Sequence, residues 1–592
     1  MKEFFKYVLA TVVGIIAVSI IGFFLIFMAI GILVSSTEKK VTVQNNSMLV
    51  INLERQIMDR APNDPFEDLE IPGFEQIKTI GLDEIRASLE KAASDDRIKG
   101  VYLKLAMTNG GMASVEEIRN MLIAFKDSCD KPVYAYGDMY DQKAYYLATA
   151  ADKIVIHPMG TVDFRGLGGE MMFYTNMLEK IGVDMQIVRH GKFKAAVEPF
   201  MLEKMSEENR EQQLTYMNSL WNHMLVGISE KRSLSVEQLN ALADEVQTLR
   251  QGDDIVETGL VDEAKYKDQV LDDLREITET KPNKGVPVID AGDYAGVSVP
   301  GNSKPYSRNK VAVIYASGDI GAAMGLGGEV IIGEEIGREI RKVRQDSSYK
   351  AIVFRVNSPG GSVFDSEVIW REVKLAAEEK TLVVSFGDVA ASGGYYIAAA
   401  ADKIVAQPNT ITGSIGIFGM IPEFGELLND KIGITTDVVE TNEHSNFISL
   451  TRPMTEYERQ LMQQMIEEGY DTFISHVAEG RNMTKEEVDE IGQGRVWSGE
   501  NAMEIGLIDK FGGLEDAIEL AVEIEGLDDY RTVDLPHQPD PFEELFKTGP
   551  DKLRGWILKK ELGEKYRYYE FLKKASGMNG IYARMPYELN VN

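Results

Sequence analysis

The stretch DVAASGGYYIAAAADKIV, residues 388–405, sets one serine, Ser392, between two elements of regular structure. The run TLVVSF at residues 381–386, which Gly387 bounds, is β-branched and aromatic and predicts a buried strand. Residues 395–401 have the composition of a helix. A strand, a tight turn and a helix form the repeating unit of a parallel sheet, so this stretch predicts an α/β fold.

The turn itself carries a possible chemistry. Ser392 is followed by Gly393 and Gly394 at the predicted start of the helix. The first backbone N–H groups of a helix have no intrahelical partner, and the helix dipole favours negative charge beside them. A tetrahedral oxyanion would be stabilised there. Simple capping of the helix by the serine is the competing interpretation.

Length and composition limit the classes of protein. With 592 residues the chain is too long for one compact core, so at least two domains are expected. The formal net charge of −31 makes nucleic acid and anionic membrane surfaces unfavourable partners for the bulk of the chain. A single cysteine, Cys129, excludes an internal disulfide, and the six histidines lack metal-ligand spacing. No cofactor or metal is predicted.

The amino terminus predicts a membrane anchor. Residues 7–34 run without a charge, which is more than the roughly 20 apolar residues that a bilayer core requires. The run is too long for the apolar core of a cleaved signal peptide. We therefore expect an uncleaved transmembrane helix within residues 1–40, with the amino terminus inside and the bulk of the chain outside.

The rest of the chain is duplicated at an offset of 250 residues. AADKIV starts at residue 150 and again at residue 400. Gly137-Asp138 matches Gly387-Asp388, and Tyr145-Tyr146 matches Tyr395-Tyr396. So many matches in the same order indicate two homologous domains rather than a short-period repeat.

The duplication defines the expected domains. The first repeat would occupy residues 45–280 and the second residues 311–535. The linker between them, residues 281–310, is rich in Pro, Gly, Asn and Ser. Residues 536–592 have helical periodicity and would form a helical tail. Each repeat alternates apolar strands with amphipathic helices, as in βαβ units of a mostly parallel sheet.

The two repeats differ where chemistry is expected. The residue that matches Ser392 is Gln142, so the first repeat lacks this nucleophile. The first repeat instead holds Lys194, which aligns with Ser445 of the second. Each repeat lacks what the other has, which indicates one composite site at the interface between them.

Serine and lysine can form a catalytic pair. A serine hydroxyl needs an adjacent base, and a lysine with an ordinary pKa of about 10.4 is almost always charged at neutral pH. Burial lowers that pKa because it disfavours the ammonium form. Lys194 is flanked by Phe193 and by residues 195–197, which are apolar. We therefore assign Lys194 as the base, with Lys192 as the competing candidate.

A glycine turn follows the strand AIVF. In RVNSPGGSV, residues 355–363, Pro359 fixes one φ angle and Gly360-Gly361 lets backbone amides approach a ligand closely. An oxyanion hole requires such amides. A plain turn is the alternative interpretation of this motif.

Together these motifs resemble one family. NSPGGS, then AASGGYYIA, with GKFKAAVEPF in the first repeat and GRVWSG downstream, resembles signal peptide peptidase A (protease IV) in its long duplicated form. The resemblance implies two tandem ClpP/crotonase-like repeats. It also implies a membrane-anchored serine protease that uses a Ser/Lys dyad to degrade residual signal peptides after their release from preproteins.

The resemblance carries roles over to this chain. It implies that Ser392 is the nucleophile, Lys194 the general base, and the amides of Gly361 and Gly393 the oxyanion hole. It implies a homotetramer at the bacterial inner (cytoplasmic) membrane, single-pass, with the catalytic body on the periplasmic or extracytoplasmic side. His444 lies beside Ser445, so a Ser/His pairing remains a lower-ranked alternative.

The expected substrates are apolar peptides. Signal peptide remnants would bind as extended chains that add main-chain hydrogen bonds to a strand edge, with small or aliphatic side chains preferred. The strands after NSPGGS and residues 412–420 are candidate pocket segments. A crotonase-like acyl-CoA enzyme and a non-catalytic membrane scaffold are the rival interpretations.

Overall fold

A computed structural model describes residues 41–62, 78–299, 307–321, 330–538 and 580–584, with a few isolated positions before residue 22. The predicted anchor at residues 1–40 lies outside these ranges apart from those isolated positions. Within the described ranges, no helix combines the length and the apolar character needed to cross a bilayer.

The first repeat is built on a parallel sheet with the strand order β8-β6-β5-β4-β1-β9. Its strands are β1 Ser47–Asn52, β2 Gln56–Met58, β3 Thr79–Gly81, β4 Ile98–Leu105, β5 Val133–Gly137, β6 Lys153–Ile156, β7 Asp184–Arg189, β8 Glu263–Ala264 and β9 Val288–Asp290. Its helices are α1 Leu82–Ser94, α2 Met112–Ser128, α3 Gln142–Ala148, α4 Thr175–Ile181, α5 Glu207–Ser229, α6 Val236–Asp244, α7 Asp253–Glu257, α8 Lys267–Ile277 and α9 Ala291–Ala295, with 3-10 turns at Ala195–Phe200 and Gln247–Leu249.

The second repeat has a related sheet with the order β19-β17-β15-β13-β10-β21; off this path, β16 pairs with β15, and β20 pairs with β16. Its strands are β10 Lys310–Ser317, β11 Asp319–Ile320, β12 Val330–Ile331, β13 Tyr349–Ser358, β14 Gly360–Ser362, β15 Thr381–Ala391, β16 Lys403–Ala406, β17 Ile411–Gly413, β18 Phe418–Glu423, β19 Val496–Ser498, β20 Lys510–Phe511 and β21 Arg531–Leu535. Its helices are α10 Gly333–Gln345, α11 Val363–Ala377, α12 Gly393–Tyr396, α13 Glu456–Arg481, α14 Lys485–Ile491, α15 Gly499–Glu504 and α16 Leu514–Glu525, with a π-helical turn at Leu427–Ile432.

A third sheet joins the two repeats. Its order is β12-β11-β14-β22-β18-β7, where β22 is Gly580–Arg584. Strand β7 belongs to the first repeat and pairs antiparallel with β18 of the second along its whole length. The segment that follows β7 in the first repeat is thereby held against the second repeat.

The predicted α/β architecture with two repeats is confirmed, and the local differences have physical causes. The strand predicted to end at Gly387 continues to Ala391, because β15 leaves its neighbour β16 after Ser385 and pairs with β17 from Val389 onward. The helix predicted at residues 395–401 is the short α12, which starts directly after Ser392. The alanine-rich residues after it form turns.

Two further segments differ from expectation. Residues 281–310, expected as a linker, contain β9 and α9, and β9 pairs with β1 as the edge strand of the first sheet. Its three residues are too few to show an alternating pattern among prolines and glycines. In the expected helical tail, residues 580–584 are a strand rather than a helix, because their backbone pairs with β14 and β18. Residues 539–579 and 585–592 lie outside the described ranges.

Candidate active site

Ser392 and Lys194 meet across the boundary between the repeats. Lys194 Nζ lies 2.8 Å from Ser392 Oγ, and both side chains are fully buried. Ser392 directly follows β15, at the carboxyl end of the second sheet, where open α/β sheets place their sites. Lys194 comes five residues after the end of β7, which is fixed on β18. The third sheet is therefore what brings the amine to the hydroxyl.

The backbone at Ser392 is strained. Its φ of 57° and ψ of −114° lie in a region that residues with a side chain rarely adopt, which costs on the order of 1–3 kcal/mol. The Ser392 N–H donates to the Gly413 carbonyl, which ties the turn to β17. A Cβ on Gly394 would lie 2.4 Å from the Ser358 carbonyl oxygen, so only glycine lets α12 pack this closely on β13.

Ser414 completes the surroundings of the amine. Lys194 Nζ lies 3.0 Å from both the Ser414 carbonyl oxygen and Ser414 Oγ. A neutral amine has two N–H donors and one lone pair. The two donors match the two Ser414 oxygens, so the lone pair is left for the Ser392 hydroxyl proton. This arrangement suits a neutral lysine that acts as a base.

Burial determines the protonation state of the Lys194 amine. Desolvation lowers the pKa of Lys194 well below its ordinary value. The nearest acidic residue along the chain, Glu198, is also buried, but its carboxylate accepts hydrogen bonds from the Ser206 hydroxyl and the Asn209 amide. Desolvation is the cause of the lowered pKa of Lys194, and no charged group among the described residues adds to it.

The loop of the second repeat that contains Gly494 packs against Lys194. Gly494 has a φ of 83°, and a Cβ added there would lie 2.6 Å from Lys194 Cβ and 2.7 Å from Lys194 N. Gly191 approaches the neighbouring Gln493 backbone in the same way, and the Phe193 N–H donates to the Gln493 carbonyl. These close backbone contacts exclude water from the amine.

The two glycines predicted to supply an oxyanion hole lie on neighbouring segments. Gly393 is the first residue of α12, which lies against β14. Gly361 is in β14 and packs so closely on β11 that an added Cβ would lie 2.0 Å from the Ile320 carbonyl oxygen. The structure therefore brings both backbone segments to the serine turn.

The competing candidates lie elsewhere. Lys192 is exposed and sits over the Phe193 ring. His444 is also exposed and stacks on Tyr457. In the first repeat, Gln142 uses its side chain to bond the backbone of Arg165 and Gly166. In the first repeat, the position that matches Ser392 therefore holds a neighbouring loop in place and offers no nucleophile.

Sequence reasoning missed three sets of residues. Ser414 stood in a glycine-rich segment that offered no sign of its partner. The other two sets cross the repeat interface. The Ser114 N–H and hydroxyl, at the start of α2, donate to the half-buried Asp388 carboxylate. Arg355, which is 1% exposed, forms ion pairs with Asp59 at 2.7 Å and with Glu117 at 2.9 Å. No sequence motif predicted these two sets of contacts across the repeat interface.

Comparison with known proteins identifies the class and the family. The model of peptidase family S49 matches residues 125–281 and 374–528, once in each repeat, and the Clp protease model matches residues 330–412. The fold is ClpP-like, and the chain is a serine peptidase.

Relatives match over most of their length. Protease 4 of Haemophilus influenzae is 34% identical, covering 85% of this chain and 83% of its own. The chloroplastic serine protease SPPA of Arabidopsis thaliana is 32% identical, covering 92% and 78%. Protease 4 of Salmonella typhi is 37% identical, covering 76% and 73%. The chain therefore belongs to peptidase family S49.

Proposed function

We propose that the chain is an endopeptidase in which Ser392 is the nucleophile and Lys194 the general base. The observation that carries the proposal is the 2.8 Å contact between their reactive atoms in a fully buried setting. A buried amine with a lowered pKa can accept a proton at neutral pH, which an exposed lysine cannot do.

The proposed reaction follows from this geometry. Lys194 Nζ takes the hydroxyl proton as Ser392 Oγ attacks the peptide carbonyl. The amides of Gly361 and Gly393 stabilise the oxyanion that forms. The Lys194 ammonium then donates its proton to the leaving amine, and an acyl-enzyme remains. A water molecule deprotonated by Lys194 releases the carboxylate product and restores the free serine.

Extended apolar peptides are the proposed substrates, with signal peptide remnants among them. A relative from Enterococcus faecium that is named putative signal peptide peptidase SppA and is 33% identical over 34% of this chain supports this class. Strands β14 and β18 run in the same direction, and the backbone of β22 lies between them and pairs antiparallel with both. An extended peptide in the place of β22 would form main-chain hydrogen bonds with both strands, and pockets for alternate side chains would set the preference for small or aliphatic residues.

We further propose a homotetramer attached to the bacterial inner membrane by residues 1–40, with the body on the extracytoplasmic side. Within one chain, the start of α2 contacts Asp388 and Val389 follows it. The matching parts, Phe364 at the start of α11 and Met139 after β5, are 77% and 41% exposed. The contact at Asp388 joins the first repeat to the second within one chain, whereas the equivalent surfaces around Phe364 and Met139 are exposed. The same kind of contact can therefore form between copies, and its repetition can close a ring.

Labelling and cleavage assays test the catalytic proposal. A fluorophosphonate probe should label the wild-type protein at Ser392, and Ser392→Ala should not be labelled. Peptide hydrolysis should fall by at least about 10⁴-fold in both Ser392→Ala and Lys194→Ala. Lys192→Ala is the matched control and should retain activity. Full activity of Lys194→Ala would refute the assignment of the base, and labelling at another residue would refute the nucleophile.

A further inference from the structure

A pair of stacked rings lies beside the loop that carries Lys194. His190 comes directly after β7, and its N–H donates to the carbonyl of Ile417, the residue before β18. Its ring stacks on the Tyr470 ring of α13, with the ring centres 3.9 Å apart and the planes at 23°. His190 Nδ1 lies 3.0 Å from Glu467 Oε2, one turn earlier on the same helix. The stack therefore joins the lysine-bearing segment of the first repeat to a helix of the second.

Tyr470 also holds the Gly494 loop. Its hydroxyl donates to the Asp489 carboxylate at 2.6 Å and accepts a hydrogen bond from the Gln493 N–H at 3.0 Å. Gln493 directly precedes Gly494, whose backbone packs against Lys194. The Tyr470 side chain is buried. One buried tyrosine thus contacts both of the loops that enclose the Lys194 amine.

The matching positions elsewhere in the duplicated chain hold different side chains. At the local offset of 251 residues His190 matches Thr441, which has no ring to stack. Helices α5 and α13 each contain one histidine, and six residues before it α5 has Met217 where α13 has Tyr470. The two rings therefore occur together at the repeat interface that contains the reactive serine and lysine.

The amine enclosed by these loops has neutral partners. Within the described residues its hydrogen bonds are to Ser392 and Ser414. Charged groups on the neighbouring elements have other partners: Glu467 contacts His190, Asp489 contacts Tyr470, Lys192 lies over the Phe193 ring, Arg189 donates to the Lys194 carbonyl, and Arg495 pairs with Glu211. Exclusion of water therefore sets the protonation of the amine, and a movement that admits water would raise its pKa.

We infer that the stacked rings of His190 and Tyr470 position Lys194 by holding together the two loops that keep water from its amine. They are positioning residues, which act through the loop backbones rather than on the reacting atoms. The inference rests on the proposed function, since it takes Lys194 as the general base. It predicts that an enzyme with a loosened stack needs a higher pH to work.

The pH dependence of peptide hydrolysis tests the inference. The acid limb of kcat/KM reports the pKa of the base in the free enzyme. We expect His190→Ala to raise the midpoint of this limb by about one pH unit or more, with the plateau above it within about threefold of wild type. Below both midpoints the variant should be about tenfold slower, since one pKa unit changes the neutral fraction tenfold. His190→Phe keeps a ring that can stack and should keep the midpoint within about 0.3 pH unit.

The chain offers a matched control in a second stack of histidine on tyrosine. His444 is exposed and lies on Tyr457 with the ring centres 4.8 Å apart. His444→Ala should change neither the midpoint nor the plateau. An unshifted midpoint in His190→Ala, or an equal shift in His444→Ala, would overturn the inference. Loss of the acid limb in both His190→Ala and His190→Phe would also overturn it, because the limb would then belong to the histidine.

The Lys194→Ala variant separates the inference from the proposed function. If Lys194→Ala is inactive at every pH and His190→Ala keeps the wild-type midpoint, then the function stands and only the inference fails. If Lys194→Ala hydrolyses peptide with the wild-type acid limb, another group is the base and the proposed function fails.

A second variant covers the case in which His190→Ala does not fold. Tyr470→Phe keeps the stacked ring and removes only the hydroxyl that bonds Asp489 and Gln493. The Gln493 N–H then loses its partner, so we expect the Gly494 loop to loosen and the midpoint to rise by about half a pH unit or more. Thermal unfolding shows that the variant is folded. An unaltered midpoint in folded Tyr470→Phe would refute the inference.

Discussion

The buried Lys194 amine lowers the free energy of unfolding, and the same burial allows it to act as a base. Its amine is buried and bonded to neutral oxygens, so the folded chain resists protonation there while the unfolded chain does not. A basic group whose pKa is lower in the folded chain than in the unfolded chain destabilises the fold at pH values below its unfolded pKa. The reason is that the unfolded chain then binds a proton that the folded chain does not. The loss grows as pH falls from about 10.5 toward the folded pKa and is constant below it.

Replacing the amine should therefore stabilise the protein. We expect Lys194→Met, which keeps the length and apolar stem of the side chain, to raise the free energy of unfolding at pH 7 by on the order of 1 kcal/mol and to abolish hydrolysis. The gain over wild type should shrink as pH approaches 10. Urea unfolding at both pH values measures this.

The exposed Lys192→Met serves as the control and should leave unfolding nearly unchanged at both pH values. A Lys194→Met protein that is less stable than wild type at pH 7 would contradict the argument, because it would show that the amine contributes more through its hydrogen bonds than it costs through burial.

At the level of the element, the loop around Gly494 fixes the position of Lys194. The chain offers a matched pair of glycines to test this. Gly494 and Gly433 both have a φ near 80°, a backbone angle that disfavours alanine at both positions. They differ in surroundings, because an added Cβ would collide with the Lys194 backbone at Gly494 but meets nothing within 4 Å at Gly433.

We expect Gly494→Ala to reduce kcat by about 100-fold or more, since a displacement of about 1 Å at a reacting group has that effect. Gly433→Ala should stay within about threefold of wild type, while both variants lose a similar backbone term of about 1 kcal/mol in stability. Steady-state kinetics and thermal unfolding measure the two effects. Equal kcat values in the two variants would show that the Gly494 contact does not position the amine.

At the level of the whole molecule, the repeat interface predicts how copies assemble. Phe364 and Met139 occupy positions equivalent to Ser114, which contacts Asp388 inside one chain, and to Val389, the residue after Asp388. We expect Phe364→Glu to convert the proposed tetramer into smaller species by native mass spectrometry, because a buried unpaired charge costs several kcal/mol at an interface.

Leu249→Glu is the control for added surface charge, since Leu249 is 85% exposed and lies away from these positions in the sequence. It should leave the assembly unchanged. A Phe364→Glu protein with the same mass distribution as wild type would exclude this surface from the contact between copies.

The sequence predicts those features that are signalled within a short stretch of the chain or by comparing the two repeats. The offset of 250 residues and the complementary losses at Gln142 and Ser445 led to the pairing of Ser392 with Lys194, whose reactive atoms lie 2.8 Å apart. The strand and helix order followed from apolar patterns. Apart from that one pair, neither kind of signal reports which distant segments pack against each other.

The missed features all depend on such distant packing. Ser414 reaches Lys194 only because β7 pairs with β18, and the pairing partner of a short antiparallel strand is not written in its own residues. Strands β9 and β22 are too short for periodicity, and their extended form comes from the strands beside them. The hydrogen bonds to Asp388 likewise depend on the docking of α2.

Because the reactive pair is divided between the two halves of one polypeptide, the active site is completed only late in synthesis. Translation delivers the amine of Lys194 first, the hydroxyl of Ser392 about two hundred codons later, and the loop with Gly494 about a hundred after that. Early domains fold while later ones are still being made. A ribosome-bound half-chain therefore holds an inert amine, and the cell is not exposed to an unfinished hydrolase. A single nick between the halves that let them drift apart would likewise switch the finished enzyme off.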